Sequence, residues 1–450
     1  MNKKNEKTVH LVSLGCPKNL VDSEYILGLL AECGYEITEE PGQAGVVIVN
    51  TCAFIRSAVE ESIETILELA RLKKNGLFQT LVVVGCLPQR YKDDLAASLP
   101  EVDLFLGTGE LAALPDLLEA PAQSRAPGRG FWSRPGFVPA GPGPRLRSAP
   151  FFSAYLKIAE GCSNACSYCL IPSLRGPLRS RPLAVLVEEA AILAESGVKE
   201  LILIAQDTTA YGQDLASGIG LARLLTELAE IQGLKWLRIM YAYPAGITEN
   251  LIQVMAGLPK VCPYLDLPLQ HAGPAVLARM RRSGPADLLG LILRLRRDIP
   301  GLTLRTTMMT GFPGETSRDF EILMDFVSQA RFDRLGVFAF SPEEGTPAAK
   351  ASGQIAGQVK EDRRIRLMAR QRRISREINE AMIGRTIPVL TEGFSPETDL
   401  LLAGRSQGQA PDIDGLVYIN EGTASPGEIK PVFITEAHDY DLVGRIVDED

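Results

Sequence analysis

No run of apolar residues in this 450-residue chain approaches the about 18 to 20 that a membrane-spanning helix needs. The opening MNKKNEKTVHLVSLGC carries lysines, but the apolar run behind them is short and broken by Ser13 and Gly15, which argues against a signal peptide. A soluble, cytoplasmic protein with no membrane partner is the expectation. Cysteine is scarce, at 8 residues. In a reducing compartment such thiols serve as metal ligands or catalytic groups more often than as disulfide partners. The stretch TGFPGET at 310–316 lacks the lysine of G-x4-G-K-[ST], so it is no phosphate loop.

What is present is a folded protein of ordinary composition. Charged residues make up 23% and hydrophobic ones 46%, enough for more than one core, and the length suggests about three domains. The formal net charge of −8 is unevenly spread. Residues 384–450 hold 4 Lys and Arg against 13 Asp and Glu, a balance of −9, so the rest is nearly neutral. A partner of that tail is expected to be basic.

Three Val-rich runs open the chain, VHLVSLG, VVIVN and LVVVG, each followed directly or within two residues by a cysteine: Cys16, Cys52 and Cys86. Helical patterns at 22–33 and 58–74 lie between them. Near-continuous apolar strands alternating with helices predict a parallel α/β sheet over 8–120, covered on both faces. The carboxyl ends of such strands share one edge, so the three cysteines can meet there. Residues 121–150 follow, with 7 Pro, 5 Gly, 5 Arg and no acidic residue. That composition predicts a linker without regular elements. It reads as a solvated connector across an acidic neighbour, or as an RNA contact.

From 151 to 383 six further strand patterns alternate with helical ones: 155–159, 200–205, 236–242, 264–269, 302–309 and 334–340. Six units predict a partial (β/α) barrel, eight being needed to close one. The first of these strands runs into EGCSNACSYC at 160–169, which concentrates Cys162, Cys166 and Cys169 in one segment. Three thiolates on one loop can each take a separate iron of a cubane cluster, leaving a fourth iron open. A structural zinc site would want four closed ligands, and no further Cys or His stands nearby. A buried helical stripe is opposed by Gly161 before and Pro172 after the triplet.

The C-x3-C-x2-C spacing, with Tyr168 before the last cysteine and after the first strand of such a barrel, resembles the radical S-adenosylmethionine superfamily. Together with Cys16, Cys52 and Cys86 in a preceding domain, the pattern is similar to the methylthiotransferase branch. The stretches LVSLGCPKNLVDSE, YLKIAEGCSNACSYCLIPSLRGPLRSRP, AQDTTAYG, YLDLPLQHA and TGFPGET resemble the RimO subgroup, which modifies an aspartate of ribosomal protein S-twelve of the small subunit. The sister subgroup, acting on transfer RNA, carries GCQMN and QNV where this chain has GCPKN and QDT. The resemblance implies two [4Fe-4S] clusters, one on each cysteine triplet. It also implies two S-adenosylmethionine molecules, one giving a methyl group to a sulfur at the first cluster and one a radical at the second, with an electron donor and a sulfur source as further partners. A transfer-RNA substrate for the same chemistry, or a non-catalytic iron-sulfur redox protein, are the alternatives.

The tail, 384–450, has short β-rich runs punctuated by Gly and Pro, which predict a small antiparallel barrel. By position it resembles the TRAM module, often an RNA binder. Phosphate binding calls for Lys and Arg, so a −9 balance predicts no strong nucleic-acid binding. Gln206 and Asp207, at a strand end, are cofactor or substrate contacts by the subgroup match. Gln270 and His271 sit at another strand end, where His271 is a cofactor contact or a structural histidine. Gly311 and Gly314 permit close backbone approach to a ligand, or a tight turn. Cys33 and Cys262 read as packing residues, and the arginine-rich 359–382 as an amphipathic helix.

Overall fold

The computed structural model describes residues 7–120, 128–136, 138, 141–148, 150–216 and 218–447. It divides into two compact units. The first comprises residues 1–148, 157–186 and 343–346, and the second 149–156, 187–342 and 347–450.

The first unit is built on a six-stranded sheet in the order β2-β1-β3-β4-β5-β6, in which each described pair is parallel. The strands are β1 (Thr8–Ser13), β2 (Glu36–Ile37), β3 (Val46–Thr51), β4 (Thr80–Gly85), β5 (Leu104–Leu106) and β6 (Arg129–Phe131). Alternation along β3 sends Val47 and Val49 to one face and Val46 and Ile48 to the other, and all four are buried. The first pair packs with Ile66, Leu69 and Ala70 of helix Arg56–Lys74, the second with Ile26, Leu27 and Leu30 of helix Pro17–Glu32. Burial on both faces is why these strands read as continuous apolar runs.

Three strands predicted for this sheet become six. The added ones are two or three residues long, too short to show a period. β6 lies inside the stretch expected to lack regular structure, which corrects that expectation. An edge strand needs a partner on one side only, so Arg129–Phe131 can add to β5 despite flanking Gly and Pro. Further on, Arg145 pairs with the buried Glu24 at 2.6 Å, and the Ser148 amide donates to the same carboxylate. Residues 121–127, 137, 139, 140 and 149 of the predicted linker lie outside the described residues.

β7 (Ser153–Lys157) leads into the short hairpin of β8 (Ala159–Glu160) and β9 (Arg179–Ser180), which belongs to the first unit. The second unit holds the predicted partial barrel, an open six-stranded sheet in the order β14-β13-β12-β11-β10-β7. Its members are β10 (Glu200–Ile204), β11 (Trp236–Ile239), β12 (Val261–Asp266), β13 (Thr303–Thr310) and β14 (Arg334–Ala339), with helices between them. Helix Ser317–Ala330 starts in a capping box between Thr316 and Asp319.

The same unit ends in a closed barrel ordered β15-β16-β17-β19-β18: β15 (Thr386–Ser395), β16 (Thr398–Ser406), β17 (Val417–Glu421), β18 (Ile429–Ala437) and β19 (Leu442–Ile446). The expectation of an antiparallel barrel holds for every pair except β17 and β19, which run parallel. Five strands cannot alternate direction all the way around a closed ring, so one parallel pair is forced.

Glu200 of β10 ties this barrel to the six-stranded sheet. Its carboxylate accepts from Arg405 of β16 at 2.7 Å and from Arg238 of β11 at 2.8 Å, and all three side chains are buried. Burial alone would raise the Glu200 pKa. The two guanidiniums outweigh it and hold the carboxyl at about 2, against an ordinary 4.5.

Candidate iron-sulfur site

The N-terminal cysteines follow three neighbouring parallel strands, β1, β3 and β4, whose register sets Ser13 beside Asn50 and Thr51 beside Gly85. Cys16 is the N-cap of helix Pro17–Glu32, and Cys86 is the first residue of helix Cys86–Ser98. Cys52 lies in the loop before helix Arg56–Lys74. Helix N-termini carry partial positive charge and favour a thiolate.

Each approach is held by a local device. Gly15 has φ +92°, and a Cβ there would stand 2.6 Å from Cys52 Cβ and 3.1 Å from its Sγ, so the bare glycine lets the Cys16 turn lie against Cys52. Gly85 has φ +99° and leaves no room for a Cβ, which would meet Asn50 Oδ1 at 2.4 Å. Ser62 accepts from the Cys52 amide at 3.2 Å and donates to the Cys52 carbonyl at 2.9 Å, fixing that peptide from both sides. Thr51 Oγ1 donates to Val84 O and accepts from the Leu87 amide, locking the Cys52 and Cys86 loops together.

The three sulfurs act on one another electrostatically. Burial pushes the Cys52 thiol up to about 11, with the nearby sulfurs of Cys86 and Cys16 adding to it. Burial also raises Cys86, opposed by the positive charge of Arg175. Metal must displace these protons to bind. Among the described residues, no three His, Cys, Asp or Glu side chains converge on a single-ion position. A cubane cluster does not require that, because each cysteine takes a different iron. Soft sulfur donors, glycine turns that clear space beside them and a buried guanidinium to offset thiolate charge fit such a cluster.

Cys162, Cys166 and Cys169 occupy an irregular loop in the same compact unit. No helix runs through it, so the three cysteines are not a helical stripe. Gly161 precedes it with φ +77°, where a Cβ would lie 2.1 Å from Pro177 O. The Cys162 amide donates to Gly176 O at 3.0 Å, and the Cys169 amide to Cys166 O at 3.2 Å, which folds the loop back on its base. The Ile171 amide donates to Cys169 Sγ at 3.4 Å. Tyr168 is half-buried on this loop. Leu170 and Leu174 beyond it are buried in the core that also contains Cys86.

The remaining predicted residues belong to the second unit. Asp207 caps a turn, accepting from the Ala210 amide at 3.2 Å and from Thr209 Oγ1 at 2.6 Å, and Gln206 beside it is half-buried. Gln270 has φ +70° and donates its amide to Thr307 O at 2.8 Å. His271 is wholly buried, and its Nδ1 accepts from the Gly273 amide at 2.8 Å, which places the ring proton on Nε2. Burial pushes its pKa down to about 4, so the ring is neutral near pH 7. Gly311 and Gly314 both have positive φ, and Glu315 accepts from the Gly311 and Phe312 amides, so these glycines form a tight turn. A Cβ on Gly311 would stand 2.2 Å from Lys360 Cγ.

Sequence reasoning passed over Asn19, Asp22, Lys157, Glu160 and Arg175, all buried beside the cysteine loops. Their signal was a set of charged residues inside otherwise apolar stretches, such as Lys157 and Glu160 in YLKIAEG.

Comparison with known proteins agrees with this geometry. Residues 8–107 match the uncharacterized protein family UPF0004, 156–327 the radical SAM superfamily and 383–447 the TRAM domain. Ribosomal protein uS12 methylthiotransferase RimO from Citrifermentans bemidjiense is 52% identical over 449 residues, 100% of each chain to the nearest per cent. The protein of that name from Geobacter sulfurreducens is 52% identical over 99% of this chain and 100% of its own. That from Anaeromyxobacter sp. strain K is 53% identical over 98% and 94%. Among solved structures, the radical S-adenosylmethionine methyltransferase TsrM from Kitasatospora setae is similar, with TM-score 0.54 and 16% identity over 88% of this chain and 80% of its own, a likeness of fold. Full-length identity of this order, with both cysteine triplets in place, shows that the chain belongs to the RimO family of methylthiotransferases and is an iron-sulfur, S-adenosylmethionine-using enzyme.

Proposed function

We propose that this enzyme methylthiolates the β-carbon of an aspartate in small-subunit ribosomal protein uS12, using two S-adenosylmethionine molecules and two [4Fe-4S] clusters, one held by Cys16, Cys52 and Cys86 and one by Cys162, Cys166 and Cys169. The observation that carries the reading is that both cysteine triplets fall in one compact unit, with the N-terminal three at one sheet edge. A β-carbon C–H has no acidity that a side-chain base near neutral pH could use, so the reaction needs a radical rather than a general base. Cys162, Cys166 and Cys169 would hold a cluster that, with S-adenosylmethionine, would supply that radical chemistry. The chain's own part is to hold the sulfurs, to offset their charge with Arg175 and to keep both loops rigid through Gly15, Gly85, Gly161 and Ser62.

Tyr168, Gln206, Asp207, Gln270, His271, Gly311 and Gly314 are proposed as cofactor-binding residues. An electron donor and a sulfur source complete the partner set. The acidic C-terminal barrel favours a basic protein over a nucleic acid.

Mass spectrometry of uS12 and of transfer-RNA nucleosides from a deletion strain tests the substrate. Loss of the methylthio mass from the aspartate, with nucleosides unchanged, is expected. Loss from a nucleoside with uS12 untouched overturns it. The cluster count is tested by iron content, of which a Cys162→Ala, Cys166→Ala, Cys169→Ala variant is expected to keep about half.

A further inference from the structure

Four charged side chains meet beneath the cysteine loops, each less than 10% exposed: Asp22, Lys157, Glu160 and Arg175. Asp22 comes from helix Pro17–Glu32, the helix that Cys16 caps. Glu160 stands two residues before Cys162, and Arg175 ends the short helix Ile171–Arg175 just after Cys169. Lys157 donates to Asp22 and, at 2.8 Å, to Glu160. Arg175 donates to Asp22 at 2.6 Å and to Glu160 at 3.1 Å. The two cations and two anions cancel.

Arg175 reaches further. Its second nitrogen donates to Asn19 Oδ1 at 2.5 Å. Asn19 in turn donates through Nδ2 to Leu14 O at 2.9 Å and Thr51 O at 3.0 Å, the carbonyls just ahead of the Cys16 and Cys52 turns. The positive charge of the same guanidinium also acts on Cys86, opposing the rise that burial imposes on its thiol. On the other side, the Gly161 amide donates to Glu160 Oε1 at 3.2 Å, and Gly176, next to Arg175, accepts from the Cys162 amide. One side chain is therefore linked through Asn19 to the Cys16 and Cys52 turns and by its charge to Cys86, while rooted at the base of the central loop.

A neutral buried quartet of this kind is a poor source of stability, since its desolvation cost is comparable to its Coulombic gain. Its value lies in geometry and in local potential. We propose that Arg175, within the Asp22–Lys157–Glu160 network, is a positioning residue that fixes the N-terminal cysteine set relative to the central loop and sets the electrostatic potential at the iron-sulfur cluster those cysteines hold. This rests on the two-cluster reading above. A fixed positive charge beside a cluster favours its reduced, more negative state, so the sign of each charge change predicts the sign of a redox shift.

The test uses the full chain carrying Cys162→Ala, Cys166→Ala and Cys169→Ala, so that only the N-terminal cluster is present, with iron content and the cluster's midpoint potential measured by redox titration under electron paramagnetic resonance. Loss of iron from this parent overturns the two-cluster reading itself, separately from the present proposal. On the iron-bearing parent, Arg175→Gln is expected to move the midpoint to more negative potential. Asp22→Asn is expected to move it to more positive potential, and Arg175→Lys to leave it near the parent's value. A merely structural defect gives no such reversal of sign. Unchanged midpoints, or shifts of one sign in both charge-changing variants, overturn the proposal. If Arg175→Gln does not fold, the positive shift in Asp22→Asn and the unshifted Arg175→Lys decide the matter.

Discussion

Gly85 shows how much chemistry can rest on a missing side chain. Its φ of +99° is one L-residues with a Cβ rarely adopt, and an added methyl would strike Asn50 Oδ1 and, at 2.8 Å, the Thr51 carbonyl. Gly85→Ala is expected to cost at least about 2 kcal/mol of stability and to displace Cys86, which follows it. Chemical denaturation and iron content of the anaerobically prepared variant check this, and an alanine variant with normal iron and stability contradicts it. Ser62→Ala leaves the buried Cys52 amide and carbonyl without their partner, and about 1–3 kcal/mol of destabilisation is expected in the same measurement. The sequence alone marked the cysteines, because thiols at strand ends are legible. It did not mark Ser62, ten residues beyond Cys52 in an ordinary helix, because nothing local says which serine turns inward.

At the scale of elements, the Glu200 network joins two β-structures of one unit. Removing the carboxylate leaves the buried Arg238 without its carboxylate partner and Arg405 with Glu392 alone, so Glu200→Gln is expected to cost about 3–5 kcal/mol. The pH dependence follows from the depressed pKa. The stabilisation is fully present above the ordinary value of 4.5 and is lost as pH falls through about 2. The stability gap between wild type and Glu200→Gln, measured by denaturant titration, should therefore narrow between pH 4.5 and 2. A gap that stays constant over that window contradicts the assignment. Element reading from sequence was sound where patterns were long: six strands of the partial barrel and helix Gly357–Glu380 all appear close to where periodicity put them. It failed for β2, β5 and β6, two or three residues each, which exist because a neighbouring strand offers hydrogen bonds rather than because of their own pattern.

Over the whole molecule, charge is the property that reaches furthest. Exposed Glu397 and Asp399 lie at the β15–β16 hairpin of the acidic C-terminal barrel, flanked by Phe394 and Leu400, which are 67% and 89% exposed. For a basic protein substrate, Glu397→Lys with Asp399→Lys is expected to slow association with uS12 about tenfold at low salt, the difference shrinking as salt rises. Stopped-flow or surface-binding kinetics across salt concentrations read this out, and equal rates at low salt would remove the barrel from recognition. Among the described residues, no helix is long and apolar enough to cross a membrane.

The sequence by itself determined where the candidate chemistry lies: two cysteine triplets, the strand runs that end in them and the acid-rich tail, all written in spacing and composition along the chain. Tertiary structure alone decided which charged side chains pair beside the cysteine loops. Asp22 meets Lys157 across 135 residues, and Asn19 meets Arg175 across 156. Such a pairing leaves no periodic trace, because a buried charge is tolerated only once the fold has delivered its counter-charge, and the fold does that by packing rather than by local pattern.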